Sequence, residues 1–463
     1  MRGLGDPAIG SGGAAAEAHR PGGLGASGAH ARRRPQLALK RKQMRTSATR
    51  SQLLCPPRGG RAAGRGRVRL ARAPRPASPR VPRLIAAAVL AASLWMLVGP
   101  CRAGAQAAVN AERALRSYAA MQQQFYMPYH HLYRGEETES AQEYAFLWPF
   151  SQALAATTAI AGIPSLGRKY RGAVREHLSG LRSYWNRRSK PPGYEGGALA
   201  SGGAEEFYDD NEWVGLQLLR AFRMLGDRAL LAKAVEAFRL VVGGWDGNPR
   251  HPCPGGVWRV RGTRELERNT VSNAPGAELG VELYQISRRG YYLRWAKRMY
   301  HWVRLCLREG SGLYADNIDL SGTIDRTVWI YNQGTMLGAE VLLYQATGDA
   351  RYLVRAQETA ATTMAYFTMA QLEGQPPFFV AVFADNLMRL NAVAPNPSYP
   401  AYLQQYADHA WSTFLDSESG LFEFHEREAT LLLQQAAMTQ LFAYLSWDRT
   451  WYMPPRRLPP SRR

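Results

Sequence analysis

Histidine and cysteine are scarce in this chain of 463 residues, with nine of the first and four of the second. The histidines are scattered, and the pair His130-His131 stands alone. That pattern speaks against histidine-dependent epimerase chemistry, and no Cys/His spacing fits zinc. No Gly-x-Ser-x-Gly elbow, Walker loop or dinucleotide fingerprint occurs, so serine-hydrolase, P-loop and Rossmann chemistry have no support. Asn317-x-Asp319-x-Ser321-Gly322 imitates the start of a calcium loop. Its twelfth position, however, is Val328, where such a loop needs a bidentate Glu. No metal and no cofactor are expected. Strand-like alternation of polar and apolar residues is nearly absent as well, which argues against a sheet-built fold.

Acidic residues are few overall, 37 against 58 Lys and Arg, for a formal charge of +21. The excess is local. Residues 1–83 hold 19 basic and 2 acidic residues, leaving 58 − 19 = 39 and 37 − 2 = 35 for the rest, a balance of only +4. The folded part therefore has no nucleic-acid signature. The tail 1–83 is rich in Gly, Ala, Pro and Arg without apolar periodicity, and is expected to be disordered. Its runs Arg32-Arg33-Arg34 and Lys40-Arg41-Lys42 read as a long n-region, as a segment upstream of a start at Met44, or as a contact for anionic surfaces.

Leu84 to Val98 is an apolar run of 15 residues, short of the ~20 needed for a membrane span. Ala103-Gly104-Ala105 follows with the small-x-small pattern of a signal-peptidase site, so residues 84–105 read as a secretory signal cleaved after Ala105. An uncleaved anchor is the alternative. Secretion without lasting membrane insertion is the expectation, with residues 106–450 as the domain and 451–463 as a short basic tail. Cys253 and Cys306 would survive cleavage, either disulfide-bonded or as two buried thiols.

From about residue 109, apolar residues recur at i, i+3, i+4 and i+7 between breaks of Gly, Pro, Asn or Asp. The helical segments are roughly 109–127, 144–161, 168–188, 210–225, 228–243, 269–288, 290–308, 329–347, 349–367, 379–394, 399–415 and 430–447. Leu225-Gly226-Asp227-Arg228 recurs in type as Ala346-Thr347-Gly348-Asp349, and Ser287-Arg288-Arg289-Gly290 takes the corresponding place between two others. Short connections alternate with long ones, such as 189–208, 244–268 and 309–328. Twelve helices in six hairpins with that alternation predict an all-α (α/α)6 barrel whose long loops gather at one end. An open helical solenoid has the same periodicity.

The richest stretch is Phe207-Tyr208-Asp209-Asp210-Asn211-Glu212-Trp213, where a Gly-rich loop enters a helix. One reading is structural: Asp209 as N-cap and Glu212 three residues on as its capping-box partner. The other is catalytic. Glycoside hydrolysis needs two carboxyl groups at one bond, one to attack or stabilise the anomeric carbon and one to protonate the leaving oxygen. A helix N-terminus favours one as an anion, and that anion raises the proton affinity of its neighbour. Trp213 is either a sugar platform or a core residue, and Trp148, Trp245 and Trp258 are stacking candidates. Asn269, Ser272, Asn273, Tyr331, Asn332 and Gln333 begin other helices after long loops, and supply the amides and phenols that hydroxyl-rich ligands need.

Tyr208-Asp209-Asp210-Asn211-Glu212-Trp213 resembles the Asp-Asp signature of glycoside hydrolase family 76, the endo-α-1,6-mannanases. Three more stretches follow in the family's order: Trp245-Asp246 with Cys253-Pro254-Gly255-Gly256-Val257-Trp258, then Arg268-Asn269-Thr270-Val271-Ser272-Asn273, then Trp329-Ile330-Tyr331-Asn332-Gln333-Gly334. The resemblance covers about residues 110–447. It implies an (α/α)6 barrel, a retaining mechanism on mannan with Asp209 as nucleophile and Asp210 as acid/base, and no metal. It implies substrate contacts by Tyr208, Trp213, Trp258, Asn269, Ser272, Asn273, Tyr331, Asn332 and Gln333. Arg268 stands where the family has Lys, Arg259 where it has a second Trp, and Phe379-Val380-Ala381 where it has Phe-Lys-Gly. These departures are expected to touch sugar subsites. The same carboxylates would also serve transfer of a mannan chain to another sugar, and a non-catalytic glycan-binding barrel would have no need of them.

Overall fold

The computed structural model describes residues 83–136, 143–262, 266–424 and 430–454, with side chains from Gly104 onward. The N-terminal tail 1–82 and most of the tail 451–463 lie outside them. Thirteen α-helices are present among the described residues. In chain order they are α1 (Arg83–Phe125), α2 (Leu147–Gly162), α3 (Gly167–Gly180), α4 (Tyr208–Leu225), α5 (Arg228–Gly243), α6 (Ala274–Ser287), α7 (Gly290–Cys306), α8 (Ile330–Thr347), α9 (Ala350–Tyr366), the short α10 (Met369–Glu373), α11 (Pro377–Val393), α12 (Ser398–Thr413) and α13 (Leu432–Tyr444). Among these described helices none is long and apolar enough to cross a membrane.

Helices α2, α4, α6, α8, α11 and α13 pack each on the next, and α13 returns to α2, which closes an inner ring. They are largely buried, polar residues included. In α8 every residue from Ile330 to Leu343 is buried, as a helix must be when its neighbours cover every face. The outer helices bury one stripe only: in α9 just Tyr352, Ala356, Thr359, Ala360 and Thr363 are buried. The fold is an (α/α)6 barrel. Close helix approach needs glycine at Gly334, where a Cβ would lie 2.7 Å from the Cα of Phe383 on α11.

Short inner-to-outer turns carry the chemistry read from the repeat. Gly226 (φ 74°) and Gly348 (φ 73°) end α4 and α8 in the left-handed conformation. Asp227 and Asp349 then cap α5 and α9 by accepting from the N–H of Ala229 and Arg351. Arg288, at φ 58°, takes the glycine position in the third turn.

Long loops precede each inner helix and hold all the described strands. β1 (Tyr126–Met127) pairs with β2 (Leu132–Tyr133), and β3 (Trp185–Asn186) with β4 (Gly193–Tyr194). β5 (Glu267–Asn269), β6 (Asn317–Asp319) and β7 (Ile324–Asp325) form a three-stranded antiparallel sheet with Asn269 opposite Asn317. Several sequence boundaries differ: the helix expected from 269 begins at Ala274, because Glu267–Asn269 pair with β6 as β5. The segment expected at 168–188 stops being α-helical at Gly180 and tightens into a 3-10 turn over Leu181–Tyr184, which leads the chain into β3 and its pairing with β4. The first helix begins at Arg83 and runs through the expected cleavage position.

Cys253 and Cys306 are disulfide-bonded, which ties the loop after α5 to the end of α7.

Polar groups buried between inner and outer rings set a pH dependence. Glu340 on α8 is fully buried, and it accepts from Tyr300 Oη (3.0 Å) and Thr359 Oγ1 (2.9 Å). Burial pushes its carboxyl from 4.5 up to about 7. The folded protein therefore holds a proton between those pH values that the unfolded chain releases, so this group's contribution to stability falls as pH rises through that window. Glu340→Gln should gain on the wild type by about 2–4 kcal/mol between pH 4.5 and pH 8. Denaturant titrations at both pH values check this, and an unchanged difference would refute it.

Candidate active site

The site forms at the end of the barrel where the inner helices begin. Phe207 has extended backbone and bridges to Val260, while the Tyr208 N–H donates to the Arg259 carbonyl at 3.1 Å. This strand-like pairing starts α4 at Tyr208, earlier than capping by Asp209 would. Phe207 is the N-cap, and no side chain caps the helix. The capping-box reading of Asp209 and Glu212 is therefore wrong. Both aspartates lie in the first helical turn, half-buried at the floor of the loop-lined mouth.

Their titration differs. Burial raises Asp209 from 3.8 to about 6, opposed by the nearby Arg259 guanidinium and by the backbone amides of Asp209 and Asp210. Burial and then the neighbouring Asp209 push Asp210 well above the usual carboxylate range, with Arg259 again opposing. The first is the readier anion and the second holds its proton. Deeper in the barrel, Glu212 is fully buried on the next turn and faces Gly276 of α6, where a Cβ would come 2.6 Å from its Oε1. Burial, then Asp209, keeps it well above its ordinary range.

A third carboxylate completes the floor. Asp316 is fully buried and accepts from Asn332 Nδ2 at 3.1 Å and Asn317 Nδ2 at 3.3 Å. It faces both Asp209 and Tyr331, whose phenol burial drives well above its usual value. The motif pattern does not reveal Asp316. Its only signal in the sequence is an acid ending the apolar run Leu313-Tyr314-Ala315 just before a motif-bearing helix. Arg259 stands out in the sequence only as a departure from the family pattern. Its guanidinium pairs with Glu267 (3.3 Å) and lies 5.6 Å from the Phe207 ring centre, and it acts on both aspartates.

The other expected residues divide. Tyr331 lies on one wall, its ring stacked on Phe379 at 3.9 Å and 5°. Trp148 and Trp329 pack on Phe379, at 6.0 and 5.4 Å, and Trp213 belongs to the same apolar cluster with 6% exposure. Trp258 is half-buried with His251 against it at 5.8 Å. Buried polar atoms without a partner among the described residues include Asp209 Oδ1, Asn269 Oδ1, Ser272 Oγ, Asn332 Oδ1 and Trp148 Nε1. Buried polar atoms are normally paired, so such a set on the loops and helix starts suits a hydroxyl-rich ligand.

Three expected contacts have other work. Asn273 spans the loop, accepting from the Val257 N–H at 2.8 Å and donating to the carbonyls of Val257 and Asn269. Gln333 accepts from the Tyr314 N–H at 2.9 Å and donates to the carbonyls of Tyr314 and Trp329. Tyr208 lies over Gly244, where a Cβ would sit 2.5 Å from its ring. Arg268 is a correction as well: it is fully buried, not in a sugar subsite. It pairs with Asp246 at 2.9 Å and donates to the carbonyls of Pro252, Cys253 and Gly255.

The model of glycosyl hydrolase family 76 matches residues 112–444. The chain belongs to this family. It is similar to mannan endo-1,6-alpha-mannosidase DCW1 of Saccharomyces cerevisiae, 27% identical over 146 residues, which are 30% of this chain and 31% of that one. The same-named protein of Candida glabrata is 29% identical over 114 residues, 23% and 25% of the two chains. The matched segments thus span only about a quarter to a third of these curated relatives. Among solved structures, the family 76 mannosidase Bt3792 of Bacteroides thetaiotaomicron has a TM-score of 0.66 at 21% identity, covering 73% of this chain and 98% of that one. An inactive variant of the alpha-1,6-mannanase GH76A of Salegentibacter sp. HEL1_6, in complex with alpha-1,6-mannotriose, has a TM-score of 0.62 at 22% identity, covering 73% and 99%. Two consecutive aspartates are asparagines in that variant.

Proposed function

We propose that this family 76 protein is a retaining glycoside hydrolase that cleaves internal α-1,6-mannosidic bonds in mannan. One observation carries the reading: two consecutive carboxyls in the first turn of an inner helix, one readier to ionise and one holding its proton, at the floor of the barrel mouth. A retaining cleavage needs that division. Asp209 attacks the anomeric carbon while Asp210 gives its proton to the glycosidic oxygen, and the glycosidic bond breaks. A covalent mannosyl ester forms on Asp209. The Asp210 carboxylate then takes a proton from water as that water's oxygen bonds to the anomeric carbon, which frees Asp209. The family and the names of its similar members supply the mannan substrate. Incubation with α-1,6-mannan should release oligosaccharides of intermediate length early in the reaction. Release of mannose alone, or of nothing, would refute internal cleavage.

The two titrations fix a pH profile. Asp209 must be ionised, so kcat/KM should fall as pH drops below about 6. Asp210 must be protonated, so activity should fall again at higher pH as it ionises. A bell-shaped profile is expected. Activity undiminished at pH 4 would contradict the assignment of Asp209.

The cleavage site read in the sequence supports export, with a mature chain beginning near Gln106. Among the described side chains of α1, Gly104 to Gln106 are exposed and Asn110 is the first buried one.

A further inference from the structure

A second polar cluster lies in the lumen of the barrel, toward the end opposite the aspartates. Arg220 and Arg223 are 11 and 13 residues further along α4 than Asp209 and Asp210 respectively, so about 15–20 Å away at the helical rise. With Arg389 of α11 they line a cavity that Trp213 bounds toward the catalytic end and Trp451 bounds elsewhere. The pairing is uneven. Arg220 has its own carboxylate, Asp385, at 2.6 Å. Arg223 and Arg389 share one, the carboxylate of Glu282, at 3.2 Å each. The Nε–H groups of Arg223 and Arg389 have no acceptor among the described residues, and Arg389 is 4% exposed.

The remaining carboxyl in the cavity is Glu278, held by the Asn386 amide at 3.2 Å rather than by an arginine. Burial, against the pull of Arg389, raises the Glu278 carboxyl well above the carboxylate range, and the ion pairs of the arginines go to Asp385 and Glu282. Three guanidinium groups then face two carboxylates. A buried surplus charge is costly unless a counter-charge joins it.

We propose that this lumen cavity is a binding site for one small monovalent anion, chloride or a compact carboxylate such as formate, seated between Arg223 and Arg389. The anion supplies the missing acceptor for their Nε–H groups and brings the cluster to neutrality. It binds the folded barrel and not the unfolded chain, so it stabilises the fold by mass action. The site is independent of the catalytic reading, and its test needs no substrate.

Melting temperatures of the intact protein are measured at one ionic strength while the bulky MES anion is exchanged for chloride, and separately for formate. The wild type should show a saturable rise on the order of 2–4 °C with the anion that fits. Arg223→Gln and Arg389→Gln each remove the surplus cation, and the rise should vanish in whichever variant folds. Crystals of the wild type grown in bromide should carry an anomalous peak within hydrogen-bond reach of Arg223 and Arg389. A rise with chloride alone identifies a halide site, and one with both anions a general small-anion site. A flat wild-type response to both anions overturns the proposal. So does bromide found only elsewhere, or a response retained in the variants.

Discussion

Asp209→Asn and Asp210→Asn should each leave a folded protein whose turnover of α-1,6-mannan falls by roughly 10³–10⁴-fold or more. The fold should survive because Phe207, not Asp209, caps α4. Replacing a desolvated acid by an isosteric amide removes the cost of ionising it, so neither variant should lose more than about 1 kcal/mol, and each should gain on the wild type as pH rises, as Glu340→Gln does. The two losses should differ in kind. Without the Asp209 carboxylate no glycosyl ester can form. Without Asp210 the ester should still form from a mannoside whose leaving group needs no protonation, and azide should speed its breakdown. Steady-state and burst kinetics on such a substrate distinguish the two. Near-wild-type activity in either variant would overturn the nucleophile and acid/base roles of this pair.

Arg268→Met should be the most destabilising single change in the loops. The guanidinium is fully buried against Asp246, whose side chain is 3% exposed, and it gathers the carbonyls of Pro252, Cys253 and Gly255. It also lies 5.3 Å from the Trp258 ring centre. Removal leaves Asp246 buried with His251, at 2.8 Å, and the Asn248 N–H, at 3.0 Å, beside it and no arginine. Breaking a buried pair in this way costs about 3–5 kcal/mol. Arg268→Lys keeps the charge but loses the planar fork, and should fall between. Denaturant midpoints measure both. A loss below about 1 kcal/mol for the methionine variant would show that the loop does not depend on this hub.

The barrel was legible because its signals are local. The helical period, the Gly-Asp turn at Gly226-Asp227 and Gly348-Asp349, and the alternation of loop lengths each depend on neighbours in sequence. Ring closure of α13 on α2 is a long-range contact that the pattern only implied. At the site, the Asp209-Asp210 pair was readable, but its helix boundary was not. That boundary is set by Val260 and Arg259, some 50 residues downstream. Tertiary contacts also hid the difference between Asn332, whose Oδ1 stays unpartnered among the described residues, and its neighbour Gln333, whose amide is spent on Tyr314, 19 residues upstream, and on Trp329. Asp316 escaped notice because one carboxylate in a loop has no spacing to read. Arg268 looked like a subsite residue because a motif position does not say which way a side chain faces.

Retention through a covalent ester on Asp209 is the claim most open to direct test. Proton NMR of the anomeric signals during hydrolysis of an α-1,6-mannan oligosaccharide reads it before mutarotation mixes the products. The newly formed reducing end should appear first as the α anomer. First appearance of the β anomer would mean a single displacement by water, and would contradict the nucleophilic role of Asp209.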